Sequence, residues 1–499
     1  MNDSPAQSNE HSERDHTSSA FFPDAQHFAI SGGNFTIKNI HRTPPERAPE
    51  FRSIPIGDLN LQHELDVSLV RRATRDPGSV RRVYSVRIHG YSSSMTAAVY
   101  QGKNAEERWR QDVARYSWLR HPNFLQLFGA ATSADMYAAV FHDDFIPVRQ
   151  VLEKYSDSPV STVYLWGYFE QEFGDAWRYL YAVSGTELEP FGCTMGLRPS
   201  TGHLCIDLTP TNSNLYIFYS PRSTSFRDIR YRPQLQDSKI ISSISLDHYH
   251  KICFLYLSRF RYLSVFGNTS IQLGSIISFA DGSELVNVTN NLDPQDSGWL
   301  PELSERDDAL FVAPSGWTRL TSDEVQQIEE IFRKIYYSGS QFAVWLAQAN
   351  HIFTHLKVRT GHENYVFVHG VEYRLEISRL VDIPPGYLFL CPLKDLQTNA
   401  STRLYLPQCP AYWSLDPSGA QRLTPEEAHN LGFPTAAVIM EAQGMYLERS
   451  VYGGLGQLYR GKGYDPDTQD LARELEYPLY HLSGTSKITK GNCKSADLC

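Results

Sequence analysis

The apolar residues change period several times between Val83 and Leu180, and the order of those changes narrows the folds open to this chain more than any other feature. Val83-Tyr-Ser-Val86-Arg-Ile88 and Met95-Thr-Ala-Ala-Val99-Tyr100 alternate as neighbouring antiparallel strands do, with Gly90 to Ser94 as their turn. Ala105, Trp109, Val113 and Tyr116 then recur at spacings of four, four and three, one face of a helix that Pro122 helps to stop. Phe124 to Phe128 and Met136 to Phe141 read as two further strands. Val163, Trp166, Phe169, Phe173, Trp177 and Leu180 mark a long amphipathic helix. Strands packed with one helix and followed by a helical layer predict an α+β chain.

The 499 residues exceed a single ordinary core, and 41% apolar with 12% aromatic residues is enough to build several. A net charge of −10 argues against nucleic acid as a partner, because phosphate binding draws on clustered Lys and Arg. Residues 1–19 hold no apolar leader, and no uncharged apolar run approaches the roughly 20 residues that cross a bilayer. A soluble, cytoplasmic protein without a membrane span is expected. Seven scattered cysteines with no CxxC pair fit free thiols in a reducing compartment.

The chain divides by composition. Residues 1–20 are polar and aperiodic, a disordered lead; 21–51 hold a short hairpin around Gly32-Gly33 and a linker with Pro44, Pro45 and Pro49. Residues 52–220 carry the strand and helix order described above, 221–483 form a mixed α+β region, and 484–499 read as a flexible tail. Within the mixed region helices are expected near 321–356 and 425–431, opened by capping boxes at Thr321-x-x-Glu324 and Thr424-x-x-Glu427, with strands around Tyr365 to Ile377.

Leu119-Arg-His121-Pro-Asn-Phe-Leu-Gln-Leu-Phe-Gly129 resembles the protein-kinase segment that joins the small-lobe helix to the next strand, and Phe141 to Tyr155 resembles the hinge region. Gly202-His-Leu-Cys-Ile-Asp207 looks like the strand that leads into the metal-binding Asp of kinases. More widely, "HPNF", "FHDD", Cys409 to Gly419 (CPAYWSLDPSG) and Gly463 to Arg473 (GYDPDTQDLAR) are similar to segments of a large fungal family of kinase-like proteins of mostly unassigned role. That likeness extends to Tyr480, whereas the kinase likeness ends near Asp207. The resemblance implies a protein-kinase-like domain followed by the mixed α+β region.

Kinases neutralise a triphosphate with a glycine loop, a strand Lys paired to a helix Glu, a catalytic Asp and a metal-binding Asp. Under the resemblance only Gly78 remains of the three loop glycines, with Asp76 and Arg81 at the other places. Tyr100 stands for the lysine, Asp112 for its glutamate partner, Glu189 near the catalytic Asp, and Asp207 for the metal ligand. An alternative alignment sets Asp207-Leu-Thr-Pro-Thr-Asn212 on the catalytic loop instead. Single electrostatic contributors are worth about 3–4 kcal/mol each, so several losses leave little rate. The expected protein is therefore a pseudokinase, a signalling or binding protein with a degenerate nucleotide cleft, no catalytic residue, no metal site and no cofactor, acting through protein partners. Two alternatives are an atypical serine/threonine kinase using ATP and Mg²⁺, with Lys103 as the nearest spare cation, and an unrecognised catalytic site within Cys391 to Tyr480.

Three near-motifs have plain readings. Gly456 to Gly463 nearly spells a phosphate-binding loop but ends in Gly463 where Ser or Thr is needed. His351 and His355 have the spacing of a zinc pair without the intervening Glu, and His248 and His250 lack a third ligand.

Overall fold

The alternating residues of the first two predicted strands do form a hairpin. After β1 (Arg52–Ser53) and β2 (Leu59–Glu64), β3 (Ser79–Ile88) pairs antiparallel with β4 (Met95–Gly102) in the register Val83↔Ala98. α1 (Ala105–Trp118) buries Ala105, Val113 and Tyr116, and Trp109 Nε1 donates to Ala138 O at 3.1 Å. β5 (Leu127–Thr132) and β6 (Tyr137–Phe141) complete a six-stranded sheet of order β1-β5-β6-β4-β3-β2, with α1 packed across it. The strand expected from Phe124 starts only at Leu127. His121-Pro-Asn-Phe124 is instead a turn, closed by Phe124 N–H on His121 O at 3.1 Å and by Gln126 Nε2 on the same oxygen at 2.6 Å.

The computed structural model describes residues 51–65, 79–189, 192–209, 236–265, 269–279, 284–289, 294–301, 310–328, 330–337, 339–378, 383–398, 403–487 and 493–494. The predicted disordered lead and the Gly32-Gly33 hairpin lie outside them. So does Gly78.

Beyond β6 come β7 (Ile146–Pro147), α2 (Val148–Lys154), α3 (Pro159–Ser184), β8 (Thr194–Leu197) and β9 (Leu204–Asp207), the three strands forming a small sheet in sequence order. α3 starts with Ser158 Oγ accepting from Ser161 N–H and Pro159 in its first turn, and it ends at Gly185 with φ +67°. It is not the one-faced helix its spacing predicts. Every residue from Val163 to Glu170 is buried, because α4 (Asp237–Ser243), α5 (Leu246–Ile252) and the helix Arg449–Gly461 cover the sides that β9 does not. Each aromatic so buried contributes about 2–3 kcal/mol. Two carboxylates are buried with them: Glu170 meets Lys251 Nζ at 3.0 Å, and Glu172 accepts from His203 Nδ1 at 2.8 Å and from Asn123 Nδ2.

The remaining described residues build a nine-stranded sheet around Tyr365–Ile377 and Ala436–Tyr446 and a four-stranded sheet centred on Tyr387–Leu390. Both capping boxes are present, the helices being Ser322–Gln327 and Pro425–Asn430. The stretch 321–356 is not wholly helical, since Ile331–Tyr336 crosses it as a strand of alternating burial. Part of the predicted tail is also ordered sheet: His481–Lys487 pairs with Glu284–Thr289, and Cys493–Lys494 with Leu263 and Tyr262.

One continuous apolar core runs from Leu65 through α3 to Tyr480, and the described residues from Phe51 onward form one unit. The residues around 220, where a boundary is expected, lie outside the described set. No helix among the described residues is long and apolar enough to cross a membrane.

Candidate functional site

Side chains facing inward from β3, β4, α1 and β9 meet in one buried cluster. Alternation along β3 puts Arg81 on the same face as the core residue Val83, so its guanidinium enters the space between the six-stranded sheet and β9. Arg81 Nη2 lies 2.9 Å from Asp207 Oδ2 without hydrogen-bond alignment, so that contact is coulombic. Its Nε donates to Tyr100 Oη at 3.2 Å and stands 3.5 Å from Asp112 Oδ2. Tyr100 Oη in turn donates to Asp112 Oδ2 at 2.6 Å. Tyr116, one turn beyond Asp112 on α1, donates to Asp207 Oδ1 and accepts from Leu208 N–H at 2.7 Å, while Thr209 Oγ1 donates to Asp207 Oδ1 at 3.0 Å. Arg115 closes the rim, its Nη1 bonding Leu208 O at 3.1 Å and Asp112 Oδ1 at 3.3 Å.

The side chains of Arg81 and Asp207 are 5% and 3% exposed, so solvent screens their attraction little. Burial alone would lower the Arg81 pKa, but Asp207 first and then Tyr100, Tyr116 and Asp112 raise it well above its ordinary value. Burial raises both phenols, with Arg81 pulling the other way in each case. Both tyrosines are therefore protonated donors and the guanidinium stays charged. Behind the cluster, burial pushes the Cys193 and Cys205 thiols up to about 12, which removes them as nucleophiles at neutral pH.

Three of the positions singled out by the kinase resemblance, Tyr100, Asp112 and Asp207, thus come together. Glu189 does not join them: it is exposed in the loop after α3, its carbonyl accepting from Gly192 N–H at 2.9 Å. Lys103 is exposed in the turn between β4 and α1. Arg81 and Tyr116 complete the cluster, and strand and helix periods place each of them on the inward face. Arg81 sits two places from Val83 on a strand, and Tyr116 four places from Asp112 on a helix. The cluster's buried cation is Arg81, and its contacts are with the carboxylates and the phenol of the cluster itself.

Phe145, in the connection after β6, packs onto β8. Phe145 is 2% exposed and lies so close over Gly196 that a Cβ at that glycine would come within 2.5 Å of the ring. An open cavity of about 540 Å³ lies at the first turn of α1, lined by Asn104, Glu106, Glu107, Asp135 and Tyr137; no residue of the Arg81 cluster lines it.

The other near-motifs have structural uses. Gly456 lies inside the helix Arg449–Gly461, so no phosphate-binding loop exists there. The rings of His351 and His355 lie 4.1 Å apart, tilted 54° to each other, with each Nδ1 against a backbone carbonyl, of Asp467 and His351 respectively. His250 is buried with Nε2 at 2.7 Å from Tyr459 Oη. Among the described residues no group of three or more His, Cys, Asp or Glu side chains is placed to hold a metal ion. In the CPAYWSLDPSG segment, Asp416 caps its own turn through Ser418 N–H at 3.0 Å, and Gly419, at φ +73°, lies over Phe389 and Tyr412. In GYDPDTQDLAR, Gln469 Nε2 ties Gln348 Oε1 and Tyr480 O, each at 2.9 Å.

Compared with protein-family models and with curated proteins, the chain matches none.

Proposed function

We propose that this protein is a non-catalytic, kinase-like signalling or binding protein whose nucleotide cleft is filled by its own side chains, and that it acts through protein partners. The observation that carries this reading is Arg81, held between Asp112 and Asp207 where the resemblance would put the phosphates and their metal. A triphosphate entering there must displace a guanidinium from two carboxylates, and it would then face those carboxylates unscreened. Phe145 over Gly196 supports the same reading on the hinge side.

Any ligand that binds only the folded state raises the melting temperature, by about 2.7 kcal/mol of added stability at a hundred times its dissociation constant. Thermal unfolding with millimolar ATP and Mg²⁺ is expected to show no shift, and incubation with γ-labelled ATP no transfer. Metal-dependent stabilisation together with phosphate transfer would restore the atypical-kinase alternative.

A further inference from the structure

We propose that the β8–β9 hairpin is pinned to the six-stranded sheet at both of its ends, and that these two pins lock the joint between the sheet and the helical layer in a single arrangement. The hairpin register sets Thr194 opposite Asp207 at one end and Leu197 opposite Leu204 at the other, about 10 Å apart along the strands. At the first end Asp207 is held by Arg81 from β3 and Tyr116 from α1, and Leu208 O by Arg115. At the second end the buried Arg198 donates from Nη2 to Phe124 O at 3.0 Å and stands with Nε 3.4 Å from Asp143 Oδ2, while Asn123 Nδ2 donates to Leu204 O at 2.8 Å. Asp143 belongs to the connection after β6. It takes the left-handed conformation, φ +64°, and its carbonyl accepts from Thr96 Oγ1 of β4 at 3.0 Å, so the same residue ties the sheet to Arg198. Between the ends, Ile206 N–H donates to Asn123 O at 2.8 Å and Leu125 N–H to Ile206 O at 3.1 Å.

A rod held at one end can swing; one held at both ends and in the middle cannot tilt. Two-layer proteins that work by closing on a ligand need a joint that moves by hinge or shear. Here each end is held by a buried guanidinium, and removing either one takes a cation away from a carboxylate: Asp207 at the first end, which keeps only Tyr116 and Thr209 as donors, and Asp143 at the second.

Hydrogen–deuterium exchange on the full chain tests the lock, because amides at a joint exchange through local opening unless the joint is closed. In the wild type, peptides covering Leu204–Leu208 and Asn123–Leu125 are expected to exchange as slowly as β3 and β4. Arg81→Met, which removes the buried cation from the first end, and Arg198→Met, which removes it from the second, should each speed the Leu204–Leu208 peptide by about tenfold or more while leaving the helix Arg449–Gly461 unchanged. Fast exchange at Leu204–Leu208 in the wild type, or no acceleration in either variant, overturns the lock. Acceleration in one variant alone leaves a single pin and overturns the double one. Should Arg81→Met fail to fold, Tyr116→Phe removes only the bonds to Asp207 and Leu208 and is read in the same way. The ATP titration tests the filled cleft and exchange tests the joint, so either can fail without the other.

Discussion

At the scale of single residues, the Arg81 cluster makes a quantitative demand. Arg81→Met leaves the largely buried carboxylates of Asp112 and Asp207 without the cation they share, and a loss of about 3–5 kcal/mol is expected in urea denaturation. Asp207→Asn should cost a similar amount. The double variant should cost less than the sum by at least about 1 kcal/mol, because each single change already removes the shared attraction; additive losses would mean that the two groups do not interact. This cluster also marks how far the site was legible. The kinase resemblance singles out Tyr100, Asp112 and Asp207 from three separate segments, and these three do meet at one site. Under the resemblance Arg81 counts only as a missing glycine and Tyr116 only as a core position, because the contact of each with Asp207 joins segments more than 90 residues apart in the chain.

Among elements, the structure departs from the sequence reading wherever distant chain supplies the packing. β3, β4 and α1 were legible because their partners are neighbours in the chain. The burial of α3 on all sides was not, since it depends on a helix that arrives at Arg449. The same holds for Ile331–Tyr336, whose partner strands Gln295–Pro301 and Tyr365–Ile377 determine that it is extended. Local signals without such competition read correctly: Thr424 Oγ1 accepts from Glu427 N–H at 3.2 Å as its capping box predicts. Thr424→Ala should cost about 1 kcal/mol. Gly419→Ala should cost more in the same urea measurement, for it combines a left-handed backbone with a Cβ placed 2.8 Å from both Phe389 Cζ and Tyr412 Oη. A Gly419→Ala protein as stable as the wild type would show that this loop is free to lift off its aromatic bed.

On the scale of the whole molecule, stability should depend on pH through two buried histidines. Burial holds His250 and His369 at about 4, well below the ordinary value of 6.5. In the fold they stay neutral, whereas the unfolded chain takes up protons as pH falls below 6.5. Their contribution is therefore complete above that pH and is lost progressively towards pH 4, by roughly 3 kcal/mol for each histidine at most. Urea midpoints should fall between pH 7 and pH 5, and the fall should shrink in His369→Gln, whose amide can still donate to Gln443 O. An equal fall in that variant would assign the effect to other groups.

The late-arriving cover of α3 also bears on how the protein is made. A ribosome that has finished Ser184 must still add everything up to Gly461 before the helix Arg449–Gly461 can settle on it. At ordinary synthesis rates that takes about tens of seconds, with a row of Trp, Tyr and Phe side chains lacking their final neighbours. Nascent chains of this protein should therefore be prominent clients of whatever holdase stands at the tunnel exit.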